Sequence, residues 1–186
     1  MVRCLLIVLL GLLASCKQEV KDDAKMTAQQ PAAALTQMAK EGFGKVTLEC
    51  GAQTLTVEGK CGGTTALGDM VIAVQDKTTP TKVFTITFNG KDYPESGKVY
   101  TIKKSDFMDQ AKKSASDIYV AFSEINQKNQ MDWSSDDQSG TISFQANGNE
   151  ITCTFKDIKL QPSIVYNKAG LDQAATASGT MTFYKN

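Results

Sequence analysis

The residues of this chain that could carry chemistry do not form a recognisable catalytic set. The sequence has no histidine, which removes the usual general base near neutral pH and the commonest zinc ligand. Ser96 and Ser139 therefore lack the partner base that activates a serine nucleophile. Four carboxylates stand at predicted strand ends, where acidic residues commonly make turns: Asp69, Asp76, Asp92 and Glu95. We expect no enzyme and no cofactor, and a carboxylate-based hydrolase remains the enzymatic alternative.

The most acidic segment, Asp132–Asp137, also holds the only tryptophan of the chain. Oxygen-bearing side chains recur at Asp132, Ser134 and Asp136, as in a calcium-binding loop. The segment lacks the glycine at the sixth place and the acidic residue at the twelfth that an EF-hand loop requires. We therefore interpret it as an exposed connection with Trp133 packed inward, and we expect no metal site.

The charge balance excludes one class of partner. The chain carries 20 Lys+Arg and 20 Asp+Glu. Arg3 is the only charged residue among the first fifteen, so the remainder carries 19 positive and 20 negative side chains. A chain with this balance has no basic field for the phosphates of a nucleic acid, and we expect no nucleic-acid partner.

The first fifteen residues have the three parts of a secretory leader. Arg3 supplies the positive start, Leu5–Leu13 is an apolar run broken only by Gly11, and Ala14 and Ser15 are small. The apolar run is far below the roughly 20 residues that span a bilayer as a permanent helix. The pattern predicts export of the chain and removal of the leader.

The sequence Leu13-Ala14-Ser15-Cys16 resembles the lipobox of bacterial lipoproteins. The resemblance implies that a peptidase cuts between Ser15 and Cys16 and that Cys16 receives acyl groups such as palmitate. Several acyl chains hold a protein stably on a membrane without a spanning helix. The mature protein is therefore expected to be anchored in the outer membrane through the lipid on Cys16.

Residues 16–42 form the predicted lipidated start and a flexible tether. The composition of residues 17–42 is poor in large apolar residues, and a flexible chain of these 26 residues spans roughly 25–30 Å. A short helix beginning at Pro31 is an alternative for its second half. Lys17 followed by acidic residues up to Asp23 resembles the export tag of surface lipoproteins of the Bacteroidota type, which implies the cell surface. The alternative is a solvated linker.

The remainder, residues 43–186, is predicted to be a single β-rich domain. Apolar and polar residues alternate in about nine or ten short runs separated by turn residues, while Ser105–Ser114 could add one or two helical turns. Alternation gives each sheet one solvated face. We predict an all-β fold, an antiparallel β-sandwich, with a calycin-like β-barrel as the alternative.

Two hairpins can be given a register. Gly51-Ala52 as a two-residue loop places Leu48 opposite Leu55 and Val46 opposite Val57. Asn147-Gly148 as the second loop pairs residues 144 with 151 and 142 with 153. In both hairpins the apolar residues then share one face.

The cysteines left after Cys16 is lipidated are Cys50, Cys61 and Cys153, an odd number. The first hairpin register keeps Cys50 roughly 25 Å from Cys61, too far for a bridge. We predict a disulfide between Cys61 and Cys153. A Cys50–Cys153 bridge and three free thiols are the alternatives.

Two functional classes follow for the β domain. One is an interaction module that binds a protein or a glycan through its loops or an exposed sheet face. The other is a carrier of a small apolar ligand inside a barrel, which requires a cavity of about 300–1,000 Å³. Five tyrosines are candidates for a recognition face, or for covering a sheet edge: Tyr93, Tyr100, Tyr119, Tyr166 and Tyr184.

Overall fold

A computed structural model describes residues 41–104, 114–128, 130–137, 139–163 and 166–185. These residues form ten strands: β1 Gly42–Cys50, β2 Gln53–Ala66, β3 Asp69–Asp76, β4 Lys82–Phe88, β5 Thr101–Ile102, β6 Asp117–Ile125, β7 Gln130–Ser135, β8 Thr141–Asn147, β9 Glu150–Pro162 and β10 Ala175–Tyr184. No helix among them is long and apolar enough to cross a membrane. The predicted leader, Cys16, the tether up to residue 40 and the helical turns predicted from Ser105 lie outside the described residues.

The sheet closes on itself. The strand order is β10-β1-β2-β3-β4-β6-β7-β9, and β9 pairs again with β10, so the ring has eight positions joined by antiparallel pairs. The all-β prediction is confirmed, and the barrel alternative replaces the predicted sandwich. Each strand alternates in the same way in a sandwich and in a barrel, and only the pairing of the first strand with the last distinguishes them.

One position of the ring is shared by two strands. β7 pairs with β9 at Ser135 and Leu160, while β8 pairs with the earlier part of β9 at Thr141 and Lys156. β6 pairs with β7 along one half and with the short β5 along the other. The Ser135 hydroxyl joins these pieces, because it accepts from the Val120 amide at 3.0 Å and donates to the Lys103 carbonyl at 2.5 Å.

The first hairpin has the predicted register. Leu48 faces Leu55 and Val46 faces Val57, and Gly51 has a φ of +57°. The same register places Cys50 and Cys61 at opposite ends of the pair. β2 then continues beyond Cys61 to Ala66, because β3 supplies hydrogen-bond partners for this extension.

The second hairpin forms, but its predicted register is wrong by two residues. Phe144 faces Cys153 and Asn147 faces Glu150, so the loop is Gly148-Asn149. Gly148 is therefore the first central residue of the turn. Its φ of +60° suits that position. A slip of two residues keeps every side chain on its face, and hydrophobic patterning could not detect it.

The barrel interior is filled with side chains. The largest fully buried ones are Trp133, Phe84, Phe122, Phe183, Leu48, Ile72, Ile86, Ile118, Ile151, Ile158, Leu160 and Met181. Phe84 stacks on Phe155 with ring centroids 5.0 Å apart, and Phe122 meets Trp133 edge to face at 5.5 Å. Trp133 points inward, as predicted, although its segment is strand β7 rather than a connection.

The two ends of the barrel differ. At one end, which we call the base, residues 166–174 lie against the hairpin loop of β1 and β2. There the Gln173 carbonyl accepts from the Trp133 indole nitrogen at 3.1 Å and from the Cys50 thiol at 3.6 Å. At the other end, which we call the mouth, β1 begins and β4 and β10 end.

Candidate ligand site at the mouth of the barrel

A loop of residues 89–100, which we call the mouth loop, crosses the mouth. At its start the Met70 amide donates to the Gly90 carbonyl at 2.6 Å, and the Gly90 amide donates to the Asp69 carboxylate at 3.0 Å. At its end two longer bonds join it to β8: the Gly97 amide donates to the Phe144 carbonyl and the Ala146 amide to the Ser96 hydroxyl. The mouth loop is thus attached to the sheet at two separate points.

Tyr93 extends from the middle of this loop into the mouth. Its ring stacks on Phe183 of β10 with centroids 6.5 Å apart and packs against the buried core. It also lies over Gly63 of β2, where a Cβ atom would stand only 2.8 Å from the Tyr93 Cε1 atom. The absence of a side chain at Gly63 therefore provides the space that the tyrosine ring occupies.

A second aromatic group lies beside it. Phe88, Tyr100 and Phe144 meet edge to face, with ring centroids 5.2–5.5 Å apart. The Tyr100 hydroxyl accepts from the Glu95 amide at 2.9 Å, and the Lys98 ammonium lies 5.4 Å from the Tyr100 ring centroid. The mouth thus combines apolar walls with a few polar groups, as ligand pockets do.

The open space beneath the mouth loop is small. A hollow of about 60 Å³ is lined by Phe88, Asn89, Gly90, Asp92, Tyr93, Glu95, Lys98, Tyr100 and Ala115. That volume holds only a few water molecules and is well below the cavity of about 300–1,000 Å³ that a carrier with an interior site requires. A ligand larger than a few water molecules would have to displace the Tyr93 ring.

The predicted tyrosine face exists only in part. Tyr93 and Tyr100 meet at the mouth, whereas Tyr166 lies in the segment at the base. Tyr119 lies on the outer side of β6, and the Tyr184 hydroxyl donates to the Glu150 carboxylate at 3.0 Å. The sequence contains no signal that would separate Tyr93 and Tyr100 from the other tyrosines, because both lie in a loop without alternating apolar and polar residues.

The acidic segment is occupied by internal contacts. The Asp137 carboxylate accepts from the Lys104 amide at 2.8 Å, and the Asp136 carboxylate accepts from the Gln161 side chain at 2.9 Å. Burial raises the pKa of Asp132 to about 6. Within the described part of the chain, no three acidic or cysteine side chains are grouped to hold a metal ion.

The other candidate residues have structural contacts. Asp76 accepts an amide hydrogen bond within its own turn, whereas Asp69 accepts one from Gly90 of the mouth loop. Ser96 accepts from Ala146, and Ser139 accepts from the Lys159 amide at 3.0 Å. The Asp76 contacts agree with the turn interpretation of that carboxylate, and Glu95 pairs with Lys98.

Cys50, Cys61 and Cys153 are free thiols in the structure, and all three are buried. Burial raises the pKa of each, and for Cys153 the neighbouring Cys61 raises it further. Cys61 and Cys153 are both fully buried in the barrel interior. The predicted bridge between them is not formed here and remains a prediction.

Native-state alkylation followed by non-reducing peptide mapping tests the thiols. Buried thiols with raised pKa values should react with iodoacetamide many times more slowly in the folded protein than in urea. A peptide linking Cys61 to Cys153 would establish the bridge. Three thiols alkylated in urea without reductant would exclude it, and fast labelling of the folded protein would contradict their burial.

Comparison of the chain with protein-family profiles, with curated proteins and with solved structures gives no match. The function must therefore be inferred from the mouth itself. Sequence reasoning missed Gly63 and Phe183 as part of a site. Two consecutive glycines at positions 62 and 63 were a usable signal, because glycine inside a strand often marks a close approach of another group.

Proposed function

We propose that the protein is a bacterial lipoprotein, anchored by acyl groups on Cys16, whose barrel carries a small apolar ligand at its mouth. The observation that carries this proposal is the placement of Tyr93. An aromatic ring from a loop fills a space at the mouth that a glycine on the facing strand leaves free. The mouths of β-barrels are common sites for small ligands.

A ligand would bind by exchange with this ring. The interior of the barrel is filled, so the mouth is the place where one group can be replaced by another. A flat apolar molecule of about the size of the tyrosine ring would stack on Phe183 and cover Gly63. Glu95 and Lys98, which pair at 2.9 Å, lie at the rim and would face a polar end of the ligand.

Removing the ring tests the ligand site. Tyr93→Ala should bind the apolar dye N-phenyl-1-naphthylamine at one site per molecule, with affinity at least roughly tenfold above the wild type, since burial of an aromatic ring is worth more than 1.4 kcal/mol. Tyr166→Ala, a change at the base, is the matched control and should bind as the wild type does. Dye fluorescence measures both, and circular dichroism checks that each variant is folded. Equal binding by the two folded variants would contradict a site at the mouth.

The anchor has a separate test. Cys16→Ala should abolish labelling by a palmitate analogue and move the protein from the detergent phase to the aqueous phase. A Cys4→Ala variant is the control, because Cys4 lies in the leader and its loss should change neither result. Equal labelling of the Cys16→Ala and wild-type proteins would refute the lipidation site.

The surface location is a further part of the proposal. The resemblance at Lys17–Asp23 supports exposure on the outer face of the outer membrane. Protease added to intact cells should then degrade the domain. Protection until the outer membrane is broken would place it on the periplasmic side.

A second candidate is an interaction module that binds a glycan on the outer wall of the barrel. It is favoured by a shallow depression of about 420 Å³ lined by Lys45, Thr47, Ser178, Gly179 and Thr180. Hydroxyl groups can bond to a sugar, and Phe43, which is 53% exposed and faces Thr182 in the adjacent row, offers a ring for stacking. A glycan that binds the wild type and Tyr93→Ala equally would favour this wall over the mouth.

A further inference from the structure

The described chain begins at the mouth. Gly42, the first residue of β1, pairs with Cys61, and the Glu41 carboxylate meets the Lys60 ammonium at 2.8 Å. Whatever precedes residue 41 therefore joins the barrel at the mouth rather than at the base. The 25 residues from Cys16 to residue 40 can extend at most about 90 Å, so an anchor on Cys16 keeps the barrel within that distance of the membrane.

The hairpin of β2 and β3 projects beyond this point. Residues 62–66 pair with β3 but extend past the start of β1. Five residues at about 3.3 Å each place the hairpin tip roughly 15 Å beyond the start of β1 along β2, while on the β3 side the mouth loop accompanies the hairpin as far as Met70. The tip consists of Leu67 and Gly68, which both have positive φ.

The tip carries an unexplained apolar side chain. Leu67 is 88% exposed and has a φ of +53°, a conformation that is unfavourable for leucine. Val99, which is 81% exposed, lies on the mouth loop. These are the two most exposed large apolar side chains of the described residues, and both belong to the mouth end. Neither contributes to the core, and both lie at the end where the chain enters the barrel.

We propose that Leu67 and Val99 insert into the surface of the membrane that carries the Cys16 lipid, so that the mouth opens onto the bilayer. This inference rests on the proposed function and deepens it, because the ligand is then an apolar molecule taken from the membrane. The site of chain entry, the projecting tip and the mouth loop all lie at the same end.

The charges at the mouth loop specify the kind of contact. Lys98 is paired with Glu95, and Lys91 is adjacent to Asp92. These charges balance, so the loop offers little attraction to anionic headgroups. Insertion should therefore be apolar in origin and nearly independent of salt and of anionic lipid.

Fluorescence quenching in vesicles tests this orientation. The mature lipidated protein is prepared with Leu67→Cys or with Ala52→Cys, each labelled with the fluorophore NBD, and reconstituted in neutral phosphatidylcholine vesicles. Ala52 is the matched control, because it lies at the exposed tip of the β1–β2 hairpin at the base. The native thiols are buried and should not be labelled. A nitroxide lipid quenches a label that enters the bilayer surface, where the apolar groups of surface-bound proteins lie about 5–10 Å deep.

The expected result is strong quenching and a blue shift at position 67 and neither at position 52, in low and high salt alike. Replacing Val99 with serine in the Leu67→Cys protein should reduce the quenching. Equal, weak quenching at both positions in protein that co-floats with the vesicles would overturn the inference and leave the anchor intact. Protein that fails to co-float would overturn the anchor as well. A shift at position 67 only after membrane proteins are added would indicate a protein partner and would also overturn the inference.

Discussion

Gly140→Ala should lower the free energy of unfolding by about 3–5 kcal/mol, whereas Gly148→Ala should lower it by only about 1–2 kcal/mol. Both glycines have a similar positive φ, +67° and +60° respectively. The left-handed conformation therefore costs the two alanine variants about the same. Any difference between their free energies of unfolding must therefore have a cause other than the backbone angle.

That difference comes from a close approach of two chain segments. A Cβ atom at Gly140 would lie 2.5 Å from the Lys156 carbonyl oxygen and 2.6 Å from the Ile158 nitrogen, whereas one at Gly148 would meet nothing within 4 Å. The obstacle at Gly140 is backbone, so no side chain can rotate away to relieve it. Either the connection from β7 to β8 or the facing part of β9 must shift.

The β9 segment opposite Gly140 is itself irregular. The pairing of β9 with β10 changes register between Ala177 and Gly179, and Asp157 takes a φ of +58°. The Asp157 amide donates to the Ser178 hydroxyl at 3.0 Å, which holds this bulge in place. Gly140 therefore lies where one ring position passes from β7 to β8 against a bulged strand.

Urea unfolding of the two alanine variants and the wild type measures both costs. A Gly140→Ala protein as stable as Gly148→Ala would mean that β7 and β8 do not meet β9 as described. The comparison would then count against the shared ring position, and with it against closure of the barrel.

The two hairpins show what the hydrophobic pattern can and cannot predict about strand register. For the first hairpin, the predicted Gly51-Ala52 loop places Leu48 opposite Leu55. The structure has this register, with Gly51 at the first central position of the turn and at a φ of +57°. At the second hairpin, a loop at Asn147-Gly148 and a loop at Gly148-Asn149 sort the faces equally well. The choice there depends on which residue takes positive φ, and the structure assigns it to Gly148.

Closure of the barrel could not be predicted from the sequence, for a different reason. The pairing of β1 with β10 joins the two ends of the domain, for example Leu48 with Ala177. No local pattern records a contact between such distant residues. The pattern of alternation therefore predicted the strands but left the choice between sandwich and barrel open.

The mouth was the least predictable part. Tyr93 and Tyr100 lie in a segment with no alternation, so nothing in the sequence indicates which way they point. Gly63 lies in a strand and faces the Tyr93 ring, a contact that joins two segments 30 residues apart in the sequence. A site formed by a loop that crosses to distant strands becomes visible only when the strands have been placed.

Asp76→Ala should lower the free energy of unfolding by about 2–4 kcal/mol, because several donors would lose a buried charged acceptor. The Asp76 side chain, at the end of β3, is only 7% exposed. It accepts from the Glu58, Thr78 and Thr79 amides at 3.1, 3.0 and 2.8 Å and from the Thr78 hydroxyl at 2.6 Å. Asp92→Ala, an exposed turn carboxylate, is the control and should change stability by no more than about 0.5 kcal/mol.

The contribution of Asp76 should also depend on pH. Burial alone would raise the pKa of this carboxyl, but the hydrogen bonds from Thr78, Thr79 and Glu58 outweigh burial and lower it. A carboxyl whose pKa is lower in the folded state contributes stability above its unfolded pKa of about 3.9 and loses it as the pH falls through the folded value. The stability gap between the wild type and Asp76→Asn should therefore be constant from neutral pH to about pH 5 and narrow below about pH 4. A gap that does not narrow in acid would mean that the charge of Asp76 does not hold this turn.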